Sequence, residues 1–250
     1  MSTLQMVDVD GDLSFWAPSE REARWVYEEI FQQDCYAGMR LPDDAFIVDV
    51  GANIGLFSYF IRRQLPAARI LAFEPMPETA AALRLNAARH GFGDAHIEQC
   101  ALGADREERV EFTYFPHLPG NSTRYPHEKA LQKSVMLRLE PPDDVHREHT
   151  GHTVTAEVRR LSSFLRADQS VDLLKVDVEG AELDVLRGID PEHWPLIGQV
   201  VLEVQDLDGR LRKICDLLAS RGFATDVRPA PMIPAEIRHF MVRGTRRARP

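Results

Sequence analysis

Acidic side chains at the ends of apolar runs, one glycine-rich turn and a scatter of histidines supply the chemistry open to this chain. In Asp49-Val50-Gly51-Ala52-Asn53-Ile54-Gly55, Gly51 and Gly55 permit a tight turn and a close backbone approach. A helix opening behind them presents free N–H groups to a ligand. Glu74 ends the next apolar run, where a carboxylate can accept hydrogen bonds from two ribose hydroxyls, a role that adenosyl and nicotinamide-dinucleotide cofactors share. Asp177 and Glu179 fall on one face of an extended segment at the end of a third run. Two carboxylates there can orient an ammonium group, act as a general base or hold a divalent ion; in the structural alternative, Glu179 caps the following helix and Asp177 satisfies backbone donors. Glu203 ends a fourth run as a further acidic candidate. His117 is a candidate base near neutral pH. His146, His149 and His152 are spaced by three, but Pro141, Pro142 and Gly151 argue for a loop in which they do not cluster.

These groups need a scaffold that gathers strand ends, and short apolar runs alternating with amphipathic stretches provide one: the pattern of βαβ units in a largely parallel sheet. Strands are expected over 45–50, 69–73, 96–101, 110–115, 173–178, 199–204, 224–227 and 237–242. Helices are expected over 56–64, stopped by Pro66, over 78–90 with Gly91 as C-cap, and over 182–187 and 211–220. Residues 116–151 break the alternation with prolines, histidines and mixed charge and read as an insertion, with a short helix around 128–135. In an open α/β sheet, ligands bind outside the carboxyl ends of the strands, where the turn and the carboxylates lie. No GKS or GKT follows the turn and its spacing departs from GxGxxG, so a P-loop and a dinucleotide fingerprint are both disfavoured.

In this setting the sequence resembles the FkbM family of S-adenosylmethionine (SAM)-dependent methyltransferases. The resemblance runs through residues 46–55, Phe73-Glu74-Pro75, Ala101-Leu102-Gly103, Leu174-Lys175-Val176-Asp177-Val178-Glu179-Gly180-Ala181-Glu182 and Leu186-Arg187-Gly188. These motifs stand in family order across about 45–205, and the block at 174–182 is the most specific. The resemblance implies an α/β, Rossmann-like class I methyltransferase fold with a mostly parallel seven-stranded sheet and helices on both faces. It implies SAM held by Asp49, Gly51, Ala52, Asn53, Gly55 and Asp177, with Glu74 and Pro75 at the ribose and Cys100, Ala101 and Leu102 near the adenine. The segment from Tyr114 to Thr123 resembles members acting in polyketide or peptide natural-product pathways, which puts Asn121 and Ser122 at the mouth of the site.

The activity implied is SAM-dependent O-methylation of such an intermediate, free or bound to a carrier protein. Methyl transfer from a sulfonium is an in-line displacement, so the protein must position the acceptor and remove its proton. Asp177, Glu179 and His117 are the catalytic candidates, and Asn121, Ser122 and Glu203 face the substrate. Sugar or glycolipid hydroxyls are alternative acceptors; an NAD-dependent oxidoreductase and a non-catalytic SAM-binding module are the competing classes.

Composition narrows the setting. With 250 residues, 44% of them hydrophobic, the chain can bury a full core. A net charge of −9 disfavours broad neutralisation of nucleic-acid phosphates, and the basic run at 243–249 reads as a solvated tail. Cys35, Cys100 and Cys215 lie far apart, without a disulfide framework or zinc spacing. The N-terminus, where Asp8, Asp10 and Asp12 alternate with apolar residues, lacks the form of a signal peptide, and no apolar run approaches the ~18 residues of a spanning helix. A cytoplasmic enzyme is expected, with a small-molecule or carrier-bound substrate, no nucleic-acid or membrane partner, and SAM as cofactor. Three carboxylates at strand ends raise a divalent metal, but no ligand pattern specifies one. Residues 1–44 are expected as a helical cap segment whose amphipathic stretch, with Trp25, Tyr27, Ile30 and Phe31, closes the pocket or packs as core. Residues 45–250 form the SAM-binding domain, with its insertion at about 116–152.

Overall fold

The structure, a computed structural model, describes residues 4–246 except Asp34 and Ala37. A hairpin of β1 (Gln5–Asp10) and β2 (Leu13–Ala17) precedes helix α1 (Glu20–Phe31). The alternating repeat then begins with β3 (Phe46–Val50), α2 (Leu56–Gln64), β4 (Arg69–Phe73), α3 (Pro77–Arg89) and β5 (His96–Glu98). Next come β6 (Ala101–Leu102), β7 (Glu107–Tyr114), α4 (Lys129–Met136), α5 (Pro142–Glu148) and β8 (His152–Arg159). The chain closes with β9 (Val171–Val176), α6 (Glu182–Arg187), β10 (Ile197–Gln205), α7 (Arg210–Ser220), β11 (Phe223–Pro229) and β12 (His239–Arg246).

Seven strands form the main sheet in the order β11-β12-β10-β9-β3-β4-β5, all parallel except β12, which runs antiparallel to both neighbours. The central strands β3, β4, β9 and β10 are largely buried on both faces and so read as near-continuous apolar runs, whereas the edge strand β11 is mostly exposed. Alternate residues feed two cores. Ile47, Ala72, Leu173, Val201 and Met241 pack against α1, α2, α3 and the hairpin; Val48, Leu71, Leu174, Leu202 and Val242 pack against α6 and α7. The expected α/β sheet with helices on both faces is therefore present. No helix among the described residues is long and apolar enough to cross a membrane.

Several expectations need correction. The segment before α1 is a hairpin rather than purely helical: Gly11 takes a φ of +56°, and Gly11-Asp12 makes the turn that lets the alternation of residues 5–17 pair with itself. The expected strand over 96–101 is split, because Ala101 and Leu102 leave the main sheet and pair with β8 in a three-stranded sheet, β6-β8-β7. β8 itself was not expected, although Thr153, Val154, Thr155 and Val158 carry β-branched side chains along it. Residues 142–148 are helical rather than loop: Pro142 occupies the first turn with Asp143 and Asp144, which suit a helix N-terminus. His146 thus lies on α5, His149 at its C-cap and His152 on β8. Of the basic run, Arg243 and Arg246 belong to β12, whereas Arg247 and Arg249 lie outside the described residues.

Candidate functional site

The carboxyl ends of β3, β9 and β10 carry a row of charged side chains on one face of the sheet. Asp49 pairs in register with Lys175, which pairs with Val201. Lys175 Nζ lies 3.2 Å from Asp49 Oδ1 and 3.6 Å from Asp177 Oδ2 and donates at 2.6 Å to the Gly51 carbonyl. Asp49, fully buried, also accepts from Ser58 Oγ at 2.7 Å. Burial alone would push the Lys175 ammonium down, but Asp49, Asp177 and Glu203 together outweigh it and hold it above its ordinary value. Lys175 therefore ties the glycine turn to the strand carrying Asp177. Gly51 is required there, because a Cβ on it would sit 1.7 Å from the Asp177 carbonyl oxygen.

Beyond the row, Gly51, Ala52 and Asn53 turn away from β3 and line a cavity of about 480 Å³, within the range of small-molecule and cofactor sites. Glu74 at the end of β4 lines it too; its two oxygens accept from Asn53 N at 3.0 Å and Met76 N at 2.9 Å. Each oxygen can accept once more, which suits the vicinal hydroxyls of a ribose. Burial raises the Glu74 carboxyl to about 7. Phe73, Cys100, Ala101, Leu102, Phe112 and Val158 make an apolar slot beside it, and burial pushes the Cys100 thiol up to about 12, which keeps it protonated. Asn53 Oδ1 is buried at this end without a partner, an acceptor open to an ammonium group. An acceptor pair, an apolar slot and an orphaned acceptor fit an adenosyl amino-acid cofactor such as SAM.

The roof is built from α1 and the insertion. Arg21, Glu22, Trp25, Val26, Glu29 and Ile30 line the cavity at helical spacing, whereas Tyr27 stacks on Phe31 and donates to Asp10 Oδ2 at 2.5 Å. Glu22 accepts from Gly120 N at 2.9 and 3.0 Å and from Asn53 Nδ2 at 3.1 Å, joining roof, insertion and turn. Burial raises its carboxyl to about 7. Arg21 donates to Glu140 at 2.6 Å and to Glu148 at 2.5 Å. Below the insertion, Glu179 holds a φ of +55°, its carboxylate paired with the buried Lys129 and its carbonyl accepting from Thr123 Oγ1 at 2.7 Å. The cavity is thus closed by contacts that the strand-end loop, α1 and residues 117–148 make together.

Its far chamber is strongly acidic. Asp177 reaches about 8, chiefly by enclosure, with Glu203 and Glu179 adding to the rise and Lys175 opposing it. Glu29 on α1 is held well above the ordinary carboxylate range by burial and by Glu203, and its Oε1 has no partner. His239 Nδ1 lies 3.1 Å from Glu203 Oε1. Apolar walls come from Tyr36, Met136, Leu139, Met232, Ile233 and Ile237.

Of the residues expected from sequence, Gly51, Ala52, Asn53, Glu74, Pro75, Cys100, Ala101, Leu102, Asn121, Ser122, Asp177, Glu179 and Glu203 all line this one cavity. Asp49 and Gly55 do not: Asp49 points into the core toward Lys175, and Gly55 packs beneath Leu83 and Phe92. His117 lies apart from the cavity, in a shallow depression with Arg147 and His152, its carbonyl accepting from Ser19 Oγ at 2.9 Å. Glu22, Glu29, Lys129 and His239 were not anticipated. Glu22 and Glu29, seven residues apart among Trp25, Val26 and Ile30, carried a signal in that spacing. Among the described residues no three His, Cys, Asp or Glu side chains are grouped to hold a metal ion.

Comparison with known proteins shows the family and the fold. The model of the methyltransferase FkbM domain matches residues 49–225. The chain is 38% identical over 247 residues to Methyltransferase 1 of Beauveria bassiana, covering 97% of this chain and 98% of that one. It is 35% identical to 31-O-demethyl-FK506 methyltransferase FkbM of Streptomyces tacrolimicus, covering 90% and 91%. The solved methyltransferase FkbM from Methylobacillus flagellatus superposes with a TM-score of 0.54 at 15% identity, over 87% of this chain and 47% of that one, a likeness of fold.

Proposed function

Because the chain belongs to the FkbM methyltransferase family, we propose that it transfers the methyl group of SAM to a hydroxyl oxygen of a natural-product intermediate of polyketide or peptide type, free or tethered to a carrier protein. The observation that carries this reading is the continuity of one cavity from Glu74 and the apolar slot, past Asp177, to the chamber of Glu29, Glu203 and His239. A donor held at one end therefore meets an acceptor entering from the other. The relative named for 31-O-demethyl-FK506 supports oxygen as the accepting atom.

Bound SAM would supply an electrophilic methyl on a sulfonium. Everything else falls to the protein. Glu74 holds the ribose diol; the slot at Cys100 to Leu102 takes the adenine; Asn53 Oδ1 and Asp177 receive the cationic amino-acid end. Glu22 and Arg21 keep α1 and the insertion closed, which excludes water and strengthens every charge interaction inside. Positioning of donor and acceptor in line is the main contribution such a site makes. The apolar walls at Met136, Leu139 and Met232 suit an acceptor with a hydrocarbon body, and the exposure of Leu139, at 61%, puts that wall within reach of a tethered substrate.

Calorimetric titration of the purified protein with SAM, S-adenosylhomocysteine and NAD tests the cofactor assignment. Saturable binding of both adenosyl ligands and none of NAD is expected; NAD binding alone would overturn it. Methylation of polyketide-type, peptide-type and sugar hydroxyls, offered free and as carrier-protein thioesters, then ranks the acceptors.

A further inference from the structure

We propose that Glu203 and His239 act as a carboxylate–imidazole pair in which His239 takes the proton of the acceptor hydroxyl during methyl transfer. The inference rests on the O-methylation reading and assigns a catalytic residue within it. His239 opens β12 directly across from Gln205, and Glu203 stands opposite Met241, so the two side chains project from neighbouring strands on the same face as Asp177. His239 is 7% exposed and lines the cavity. Its Nδ1 lies 3.1 Å from Glu203 Oε1, and its Nε2 is buried with no partner. With Nδ1–H donating to Glu203, Nε2 carries the free lone pair, and the missing partner of that atom is a donor supplied by a ligand.

Several other candidate bases in the cavity are engaged elsewhere. Glu179 is bound to Lys129, Asp177 faces Lys175, and Glu22 accepts from Gly120 and Asn53. Glu29 Oε1 and His149 Nε2 are, like His239 Nε2, buried without a partner. Of the two histidines only His239 is paired with a carboxylate that can balance an imidazolium, His149 Nδ1 being bonded to the Val145 carbonyl. In the step itself, the hydroxyl proton passes to Nε2 as the oxygen lone pair forms a bond to the sulfonium methyl carbon. The carbon–sulfur bond breaks with its electrons going to sulfur, leaving a methyl ether, a neutral thioether and an imidazolium whose charge Glu203 balances. The proton returns to solvent when the site opens.

The charged groups facing His239 are Glu203 on β10, Glu179 on the loop after β9 and Lys129 on α4; Asp177 and Glu29 face Glu203 in turn. Burial pushes the imidazolium down, but the bond and charge of Glu203, with Glu179, outweigh it, so the net direction is above 6.5. In the cofactor-free protein, nitrogen NMR of labelled histidine is expected to show His239 as the Nδ1–H tautomer at high pH. Its titration should lie above the ordinary histidine value and fall below it in Glu203→Gln. With any hydroxyl acceptor that the wild type methylates, His239→Gln should lower kcat by about 10²- to 10⁴-fold while S-adenosylhomocysteine binds within about threefold of wild type. Glu203→Gln should lose less and move the acid limb of kcat/KM to lower pH. An Nε2–H tautomer, or a His239→Gln enzyme within about threefold of wild-type kcat on a methylated hydroxyl, overturns the proposal while leaving the O-methyl reading intact. Methylation of nitrogen or carbon acceptors only sinks the O-methyl reading and this inference with it.

Discussion

Replacing Glu74 by Gln should weaken SAM binding by a calculable amount and remove part of its pH dependence. The wild-type carboxylate spends one acceptor site of each oxygen on Asn53 N and Met76 N, leaving two for the ribose. Gln keeps one oxygen and turns an NH2 group toward a ribose hydroxyl and a backbone N–H. One charge-assisted hydrogen bond, worth about 1.5–3 kcal/mol, is lost, which corresponds to a Kd roughly 10- to 150-fold higher. The carboxyl sits at about 7 in the free protein, and only its ionised form accepts from both hydroxyls. Binding should therefore release protons near neutrality, and the share of affinity that depends on Glu74 should fall about tenfold between pH 8 and pH 6. Titration calorimetry in buffers of different ionisation enthalpy measures both effects. Wild type should release protons on binding SAM, and Glu74→Gln should release fewer. A Glu74→Gln protein that binds SAM within about threefold of wild type, with unchanged proton release, would refute the ribose assignment.

Three further outcomes follow from the same geometry. Lys175→Met leaves Asp49 buried with only Ser58 as partner and should cost about 3–5 kcal/mol in urea unfolding; a loss below about 1 kcal/mol would show that the ion pair does not hold the strand ends. Gly51→Ala places a Cβ 1.7 Å from the Asp177 carbonyl and should either prevent accumulation of folded protein or lower stability by more than about 3 kcal/mol; a thermal melt close to wild type would contradict the close approach. Glu22 and Glu74 rise to about 7 and Asp177 to about 8 through burial. Carboxyls with folded values above their unfolded ones stabilise at low pH, and that contribution is lost as pH rises through the folded values. The ligand-free protein should therefore melt at a lower temperature at pH 8.5 than at pH 6, with the difference reduced by saturating SAM; a melting temperature rising over that interval would refute the burial of these groups.

Much of the scaffold could be read from sequence because buried parallel strands appear as apolar runs, and Gly51 and Gly55 punctuate the first of them. The motif carboxylates Glu74, Asp177 and Glu203 sit at run ends, so their gathering follows from the sheet. Asp49 belongs to the same motif and shares the face of Lys175 and Asp177, but it stands two residues before Gly51, inside the strand, where Lys175 and Ser58 cover it. Pairing across distant segments left little local trace. His239 meets Glu203 only through the antiparallel register of β10 and β12, and Lys129 meets Glu179 only when the insertion folds over the strand end. His117, singled out for its loop, is turned away because its backbone is tied to Ser19. The hairpin and α5 were hidden for a different reason: Gly11-Asp12 and Pro142-Asp143-Asp144 do carry turn and helix-start signals, but the charges around them read as solvated chain.

The function proposed for this cavity is transfer of a methyl group from SAM to a hydroxyl oxygen. Its most direct test is incubation with SAM carrying a carbon-13 methyl and the panel of hydroxylated acceptors, followed by carbon NMR of the product. A labelled methyl bonded to oxygen is expected, formed by the wild type and at least about tenfold more slowly by Glu74→Gln at limiting SAM. A label found on nitrogen or carbon, or transfer unaffected by Glu74→Gln under those conditions, would contradict it.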